Sequence, residues 1–269
     1  MQITDKTFVV TGGGNGIGRE VVLGLLARGA RVAAVDLNEA GLAETAQLAG
    51  ASDGRLTTHP LDVTDRKAVL ALPDAATKAH GQVDGVLNVA GIIQPFVKIN
   101  ELDYDVIERV MNVNFWGVVN VCKAFLPLLL ARPESALLNV SSMGGFLPVP
   151  GQAAYGASKA AVKLFTEALY AESQGTSLAV TVVFPGGVAT NITENSGVDT
   201  AKLLAAMGSK KQPKTTTAPD AARQIIQGVE KGSFRVVIGG DAKFMDRFAR
   251  LNPRRATLLI ADQMKSLLG

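Results

Sequence analysis

Cysteine and histidine are almost missing from this chain: Cys122 is the single cysteine, and His59 and His80 are the only histidines among 269 residues. One thiol excludes an internal disulfide and any cysteine-built zinc cluster. Cys122 lies in an apolar helical stretch and reads as a buried structural thiol. Two histidines are too few for a histidine-rich metal site, so no metal is expected. Charge of one sign is also scarce, with a net charge of +3 despite a pI near 9.0. The densest basic clusters, Lys210-Lys211 with Lys214 and Arg254-Arg255, are short and read as solvated loop and tail charges, so no nucleic-acid partner is expected. No uncharged apolar run reaches ~18 residues, which argues against a membrane span, and membrane association is not expected. The G-x-S-x-G elbow of serine hydrolases is missing. The chain enters a strand-like segment almost at once, leaving no room for a signal peptide. These absences fit a soluble cytoplasmic protein.

What is present is a strong apolar pattern. Hydrophobic residues make up 47% and charged residues 19%, enough to bury a large core. Phe8-Val9-Val10 read as the centre of a buried strand, followed by the glycine-rich turn Thr11 to Gly18. A helix with Val21, Val22, Leu25 and Leu26 follows, then a strand over 31–35 stopped by Asp36. Glycines in such a turn let a pyrophosphate approach the backbone at a positive helix N-terminus. An acid at the end of the second strand accepts hydrogen bonds from ribose hydroxyls. Further strands are expected over 56–61, 83–89, 136–140, 178–184 and 235–238, with a long helical region over 104–130 and a helix over 155–173. Alternating strands and helices predict a single-domain α/β Rossmann fold over 1–269, a doubly wound parallel sheet of about seven strands with helices on both faces. Polar residues gather at the carboxyl ends of these strands, the edge where open α/β sheets bind ligands.

Tyr155 and Lys159 stand four residues apart in a helical stretch, one turn apart on one face. A free phenol titrates near pH ~10. A nearby ammonium favours the phenolate and lowers that value, as proton exchange with an alcohol oxygen requires. Such a pair alone is usually a surface tyrosine beside a solvated lysine. Here it has company.

With Thr11-Gly-x-x-x-Gly16-x-Gly18, Asp62-Val63, Asn88-x-Ala90-Gly91, Asn114, Ser142, Tyr155-x-x-x-Lys159 and Pro185-Gly186-x-x-x-Thr190 in order, the sequence resembles the short-chain dehydrogenase/reductase family over nearly its whole length. The resemblance implies Tyr155 as general acid/base and Lys159 as the group that lowers its pKa and holds the nicotinamide ribose. It implies Ser142 as the hydrogen-bond partner of the substrate oxygen, and Asn114 as the anchor of a proton-relaying water. Cofactor contacts are implied at Gly12, Asn15, Gly16, Ile17, Gly18, Asp36, Leu37, Asp62, Val63, Asn88, Ala90, Gly91, Tyr155, Lys159, Pro185, Gly186, Val188 and Thr190. Substrate contacts are implied at Gln94, Ser142, Met143, Val149, Gln152, Tyr155 and Gly187. The family often carries two asparagines before Ala90-Gly91, whereas position 89 is Val; Asn88 is expected to brace the glycine turn. Ser142 rather than Ser141, and Asn114 rather than Asn112, match the family spacing. Asp62 reads either as a cofactor contact or as a cap of the next segment, and Asp84 as a turn residue.

Asp36 would repel a 2′-phosphate and welcome ribose hydroxyls, so NAD is expected over NADP. Phe96, Met143, Phe146, Leu147 and Val149 suggest a hydrophobic or bulky small-molecule substrate. The family resemblance implies a lid over 191–217, with a short helix at 200–207, and a homodimer or homotetramer through the long helices around Asn114 and Tyr155. The tail over 241–269 repeats apolar residues at helical spacing and reads as an extension packed on the body or on a second subunit, or as a membrane-surface helix. Two classes fit these residues. One is an NAD-dependent oxidoreductase interconverting a secondary alcohol and a carbonyl; the other is a non-catalytic NAD-binding regulatory or scaffold protein. The intact Asn114, Ser142, Tyr155 and Lys159 set favours the first.

Overall fold

Consecutive apolar residues, rather than alternating ones, mark a strand covered on both faces, and Phe8-Val9-Val10 lie in such a strand. The computed structural model describes residues 1–50, 53–190, 192, 196 and 215–265. The first half runs β1 (Thr7–Thr11), α1 (Gly16–Leu26), β2 (Arg31–Asp36), α2 (Glu39–Ala49), β3 (Leu56–Pro60), α3 (Arg66–His80) and β4 (Gly85–Asn88). It continues through α4 (Tyr104–Met111), a π-helical turn (Asn112–Trp116), α5 (Gly117–Leu130), β5 (Ser135–Val140), α6 (Ala153–Glu172) and β6 (Leu178–Pro185). Then come β7 (Val188–Ala189), β8 (Thr216–Thr217), α7 (Ala218–Glu230), β9 (Arg235–Ile238), α8 (Gly240–Leu251) and α9 (Pro253–Met264).

Seven strands form one sheet in the order β3-β2-β1-β4-β5-β6-β9, every pair parallel. The order reverses between β1 and β4, so the crevice above that junction is the place where such sheets bind ligands. Successive side chains of a strand point to opposite faces. Phe8, Val10, Val32 and Ala34 accordingly pack under Val21, Leu25 and Ile225 of α1 and α7. Val9, Ala33, Val35 and Leu137 pack under Val69, Val121, Phe125 and Val162 of α3, α5 and α6.

The seven strands and the long helical region fall where the sequence places them. The helix at 39–49 and the short β7–β8 ribbon were not anticipated. The expected strand at 83–89 is shorter, Gly85–Asn88, although the Asp84 backbone still donates to the Thr7 carbonyl and accepts the Ala136 N–H. The expected helix at 200–207 and most of the expected lid lie outside the described residues. In the tail, α8 and α9 bury Met245, Ala256 and Ile260 against Leu147 in a small core of their own, so these helices pack on the body.

At the edge of the sheet opposite the crevice, Asp84 is fully buried. It accepts the Thr7 N–H at 3.0 Å and pairs with Arg132 at 2.9 Å, joining the starts of β1 and β4 to the end of α5. Asp84 is therefore a structural anion, not a simple turn residue. Arg132→Ala strands that carboxylate and is expected to cost roughly 3 kcal/mol. The melting temperature should fall by roughly 6–12 °C while ligand binding in the distant crevice is unchanged, as calorimetry and fluorescence titration would show.

Candidate active site

The glycine turn is built by close approach. Gly12 has a φ of +74°, and a Cβ there would lie 2.9 Å from the Ala90 nitrogen. A Cβ at Gly18 would overlap the Gly12 carbonyl oxygen. Thr11 locks the junction: its Oγ1 accepts the N–H groups of Val89 and Ala90 at 3.1 and 3.2 Å. Asn15 starts α1 without a side-chain cap, and no acid occupies the first turn. Helix-start N–H groups without an intrahelical partner are suited to an anion. Arg19 braces the turn from behind through the carbonyl of Gly14, the Thr45 hydroxyl and Glu44. Asp36 accepts Gly14 N–H and Asn38 N–H, one on each carboxylate oxygen, both at 2.9 Å.

This turn opens into a cavity of about 1080 Å³. Of the expected cofactor residues, Gly12, Asn15, Gly16, Ile17, Gly18, Asp36, Leu37, Asp62, Val63, Ala90, Gly91, Pro185, Gly186, Val188 and Thr190 line it together with Tyr155 and Lys159. Asn88 does not. Its amide donates to Asn139 at 2.8 Å, so it ties β4 to β5, and Thr11 supplies the bracing expected of it. Ser142 and Gly187 line the cavity, whereas Met143, Val149, Gln94 and Gln152 are not among its walls. Met143 and Phe146 pack around the small core containing Leu147, which leaves Phe96 as the one cavity wall among the expected apolar contacts. Ile92, Ile93, Val113 and Ile192 supply the apolar surface instead. Asp62 accepts the Thr64 N–H at 2.8 Å and lines the cavity, while the cap of α3 is Asp65, whose side chain accepts the Lys67 and Ala68 N–H groups.

At the carboxyl end of β5 the two serines divide their tasks. Ser141 donates to the Lys159 carbonyl at 2.7 Å, deep in the core, while Ser142 accepts Gly144 N–H at 3.0 Å and hydrogen-bonds the Tyr155 phenol. Lys159 is 3% exposed. Its Nζ donates to the Val140 carbonyl at 3.0 Å, and burial pulls its pKa down to about 8. Burial pushes the Tyr155 phenol above its usual range, opposed by the Ser142 hydrogen bond. The expectation that Lys159 lowers the Tyr155 pKa therefore does not describe the free protein. Desolvation of both groups outweighs their proximity, and the ammonium is directed to a backbone carbonyl. Gly91 leaves room for this arrangement, since a Cβ there would lie 3.1 Å from Lys159 Nζ and 3.2 Å from Asn114 Oδ1.

Asn114 is fully buried in the π-helical turn, a feature frequent at functional sites. Its amide brackets Ile92, accepting the N–H at 2.8 Å and donating to the carbonyl at 2.9 Å, and also donates to Ser158 at 3.0 Å. Asn112, two residues earlier, is exposed and lines the cavity. Sequence reasoning missed Asp241 altogether. Its carboxylate accepts Gly187 N–H at 2.9 Å and covers Gly186, where a Cβ would come within 2.5 Å of it, so α8 holds the turn after β6. No local pattern announces a contact across so many residues.

A doubly wound sheet of this order, with a glycine turn at its reversal point and a buried Tyr–Ser–Lys constellation beside it, defines a Rossmann-type protein. The family model described as short chain dehydrogenase matches residues 6–201. SadH of Mycobacterium tuberculosis, a protein named as an oxidoreductase, is 40% identical over 252 residues, 91% of this chain and 90% of its own. The 1-deoxy-11-beta-hydroxypentalenate dehydrogenase of Streptomyces avermitilis is 33% identical over 246 residues, 90% of this chain and 88% of its own. A short chain dehydrogenase/reductase from Burkholderia phymatum, solved in complex with NAD, shares the fold with a TM-score of 0.84 at 24% identity, covering 94% of this chain and 96% of its own. One from Burkholderia cenocepacia, solved with NADP, gives 0.80 at 24% identity over 97% and 99%. The chain belongs to the short-chain dehydrogenase/reductase family and is an oxidoreductase of that family.

The depressed Lys159 value has a consequence for stability. The unfolded chain holds this proton up to about pH 10.4, the native state only to about 8. Between those values the unfolded state binds more protons, so native stability rises with pH. The penalty for burying the ammonium is present in full below pH 8. In Lys159→Met this gain should vanish: the melting temperature of the native chain relative to the variant should climb from pH 8 to 10, as thermal unfolding across that range would show.

Proposed function

We propose that this protein is an NAD-dependent dehydrogenase that interconverts a secondary alcohol and its carbonyl compound, with Tyr155 as general acid/base. The observation that carries this reading is the convergence of Tyr155, Ser142 and Lys159 on the wall of the same cavity whose far end is the glycine turn of α1. A nicotinamide dinucleotide fits the residues present. The uncapped start of α1, with Gly12, Gly16 and Gly18 free of side chains, would receive the pyrophosphate. Asp36 and Leu37 would hold the adenosine ribose, and the turn from Pro185 to Thr190 would hold the nicotinamide end. The bound cofactor would supply the two-electron acceptor or donor.

The chain's own residues supply positioning and proton transfer. Ser142 holds the substrate oxygen beside the Tyr155 phenol. The neutral phenol is the form that protonates a carbonyl oxygen in reduction. Accepting a proton from an alcohol needs the phenolate, which burial disfavours in the free protein and which a charged Lys159 would offset as the proton moves. Ile92, Ile93, Phe96, Val113 and Ile192 favour a bulky apolar substrate. The test is NADH formation from NAD with a panel of secondary alcohols, sterols and hydroxyacyl compounds. Tyr155→Phe should lower turnover by about 10²–10⁴-fold; full turnover in that variant overturns the assignment.

Specificity for NAD follows from charge at the Asp36 end. The described lining there is Leu37, Asn38, Leu61 and Asp62, and Arg19 sits behind the turn paired with Glu44 at 2.6 Å. NADH should bind the native protein at least about tenfold tighter than NADPH, worth ~1.4 kcal/mol. Asp36→Ala should bring the two within a few-fold by fluorescence titration. Equal affinities in the native protein would contradict the charge argument.

The same reading includes a homo-oligomer. Phe115, Ala160, Ala161, Leu164, Phe165 and Ala168 form a shallow apolar face on α6 and the π-helical turn, with Leu164 66% exposed. Leu164→Glu is expected to lower the oligomeric state seen by sedimentation; a monomeric native protein would overturn this part.

A further inference from the structure

Gln94 and Gln152 carry the residue types of a substrate contact, yet Gln94 has no exposed surface and Gln152 is 4% exposed. Their side chains are committed to each other's segments. Gln94 Oε1 accepts the Tyr155 N–H at 3.0 Å, and Gln94 Nε2 donates to the Gly151 carbonyl at 2.9 Å. Gln152 Nε2 donates back to the Gln94 carbonyl at 2.8 Å.

The need for this exchange lies in the start of α6. Its N-cap residue is Gln152, whose side chain does not cap the helix, and no acid stands in the first turn. The first N–H groups of a helix lack intrahelical acceptors, and Tyr155 is the third residue of this one. Gln94 supplies the missing acceptor from a loop distant in sequence. The far side of the same residue is held too. The Tyr155 carbonyl accepts Ser158 Oγ at 2.7 Å, Ser158 accepts Asn114 Nδ2 at 3.0 Å, and Asn114 brackets Ile92. Both backbone groups of Tyr155 are thereby tied to the single segment Ile92–Gln94.

We propose that Gln94 and Gln152 form a reciprocal clamp of positioning residues that sets the backbone of Tyr155 against Ser142, and that neither contacts substrate. The inference rests on Tyr155 being the proton-transfer group. Gln94 acts through the tyrosine and touches no reacting atom. It follows that loss of the clamp slows turnover while cofactor binding is kept, because most of the cofactor-site lining lies on the glycine turn, the end of β2 and the turn from Pro185 to Thr190.

The experiment compares the full-length native chain, Gln94→Leu, Gln94→Glu and Tyr155→Phe, below the melting temperature of each. In Gln94→Leu the Tyr155 amide should exchange with solvent about tenfold faster, and kcat should fall about 10–100-fold, with the NADH Kd and the KM for NAD unchanged. Gln94→Glu gives a pH signature. A protonated carboxyl accepts from Tyr155 N–H and donates to Gly151 as the amide does, while a carboxylate loses the donor and faces the Gly151 carbonyl. The ratio of its turnover to that of the native chain should therefore rise as pH falls. A lower melting temperature with native kcat in Gln94→Leu, beside an inactive Tyr155→Phe, overturns the clamp alone. A raised substrate KM with native kcat returns Gln94 to substrate binding. Undiminished turnover in Tyr155→Phe overturns the proton-transfer reading itself.

Discussion

The constraint on which the site depends is a buried ammonium. Lys159 brings a positive charge into a place that is 3% exposed and gives it one backbone carbonyl at 3.0 Å. A cation so placed is costly unless its surroundings are polar and fixed. The neighbourhood answers that need. Gly91 leaves space for the Nζ, Asn114 presents its Oδ1 nearby, Ser141 holds the helix backbone of Lys159, and Ser142 turns to the phenol one turn before it.

The sheet places this group and the glycine turn at the same edge. β1 and β4 stay paired to their last residues, Thr11 and Asn88, and Thr11 then ties down the loop after β4 by accepting two of its N–H groups. That loop, from Ala90 to Gln94, then serves both halves of the cavity. Its beginning contacts Gly12 of the turn, and its end holds Tyr155 through Gln94. On the other side, α8 reaches back through Asp241 to fix the Gly186-Gly187 turn. The cavity is thus framed by long-range contacts between loops, carried on a sheet that is rigid because both of its faces are buried.

What was legible in the sequence was whatever depends on local spacing. Gly12, Gly16 and Gly18 of the turn, Asp36 at the end of β2, and Tyr155 with Lys159 on one helix face all sit within one element or one junction, and all reach the cavity. The parallel sheet was legible because its strands are short continuous apolar runs. What depends on tertiary contact was not. Asn88 and Asn139 find each other across two strands, Asp241 finds a glycine far behind it, and two glutamines of substrate-binding type close on each other. Burial also reverses a simple charge argument, since the pKa of Tyr155 follows the loss of water more than the nearby lysine. Spacing reports neighbours in the chain, and desolvation is set by everything else.

The most direct test of the central claim is to follow the transferred hydrogen itself. NADH carrying deuterium at the transferable position of the nicotinamide would be incubated with the protein and a mixture of bulky apolar ketones, and the products read by mass spectrometry. The account predicts deuterium on the carbinol carbon of at least one product alcohol, dependent on Tyr155. Tight NADH binding with no label in any alcohol, across ketones that fill the apolar end of the cavity, would contradict it.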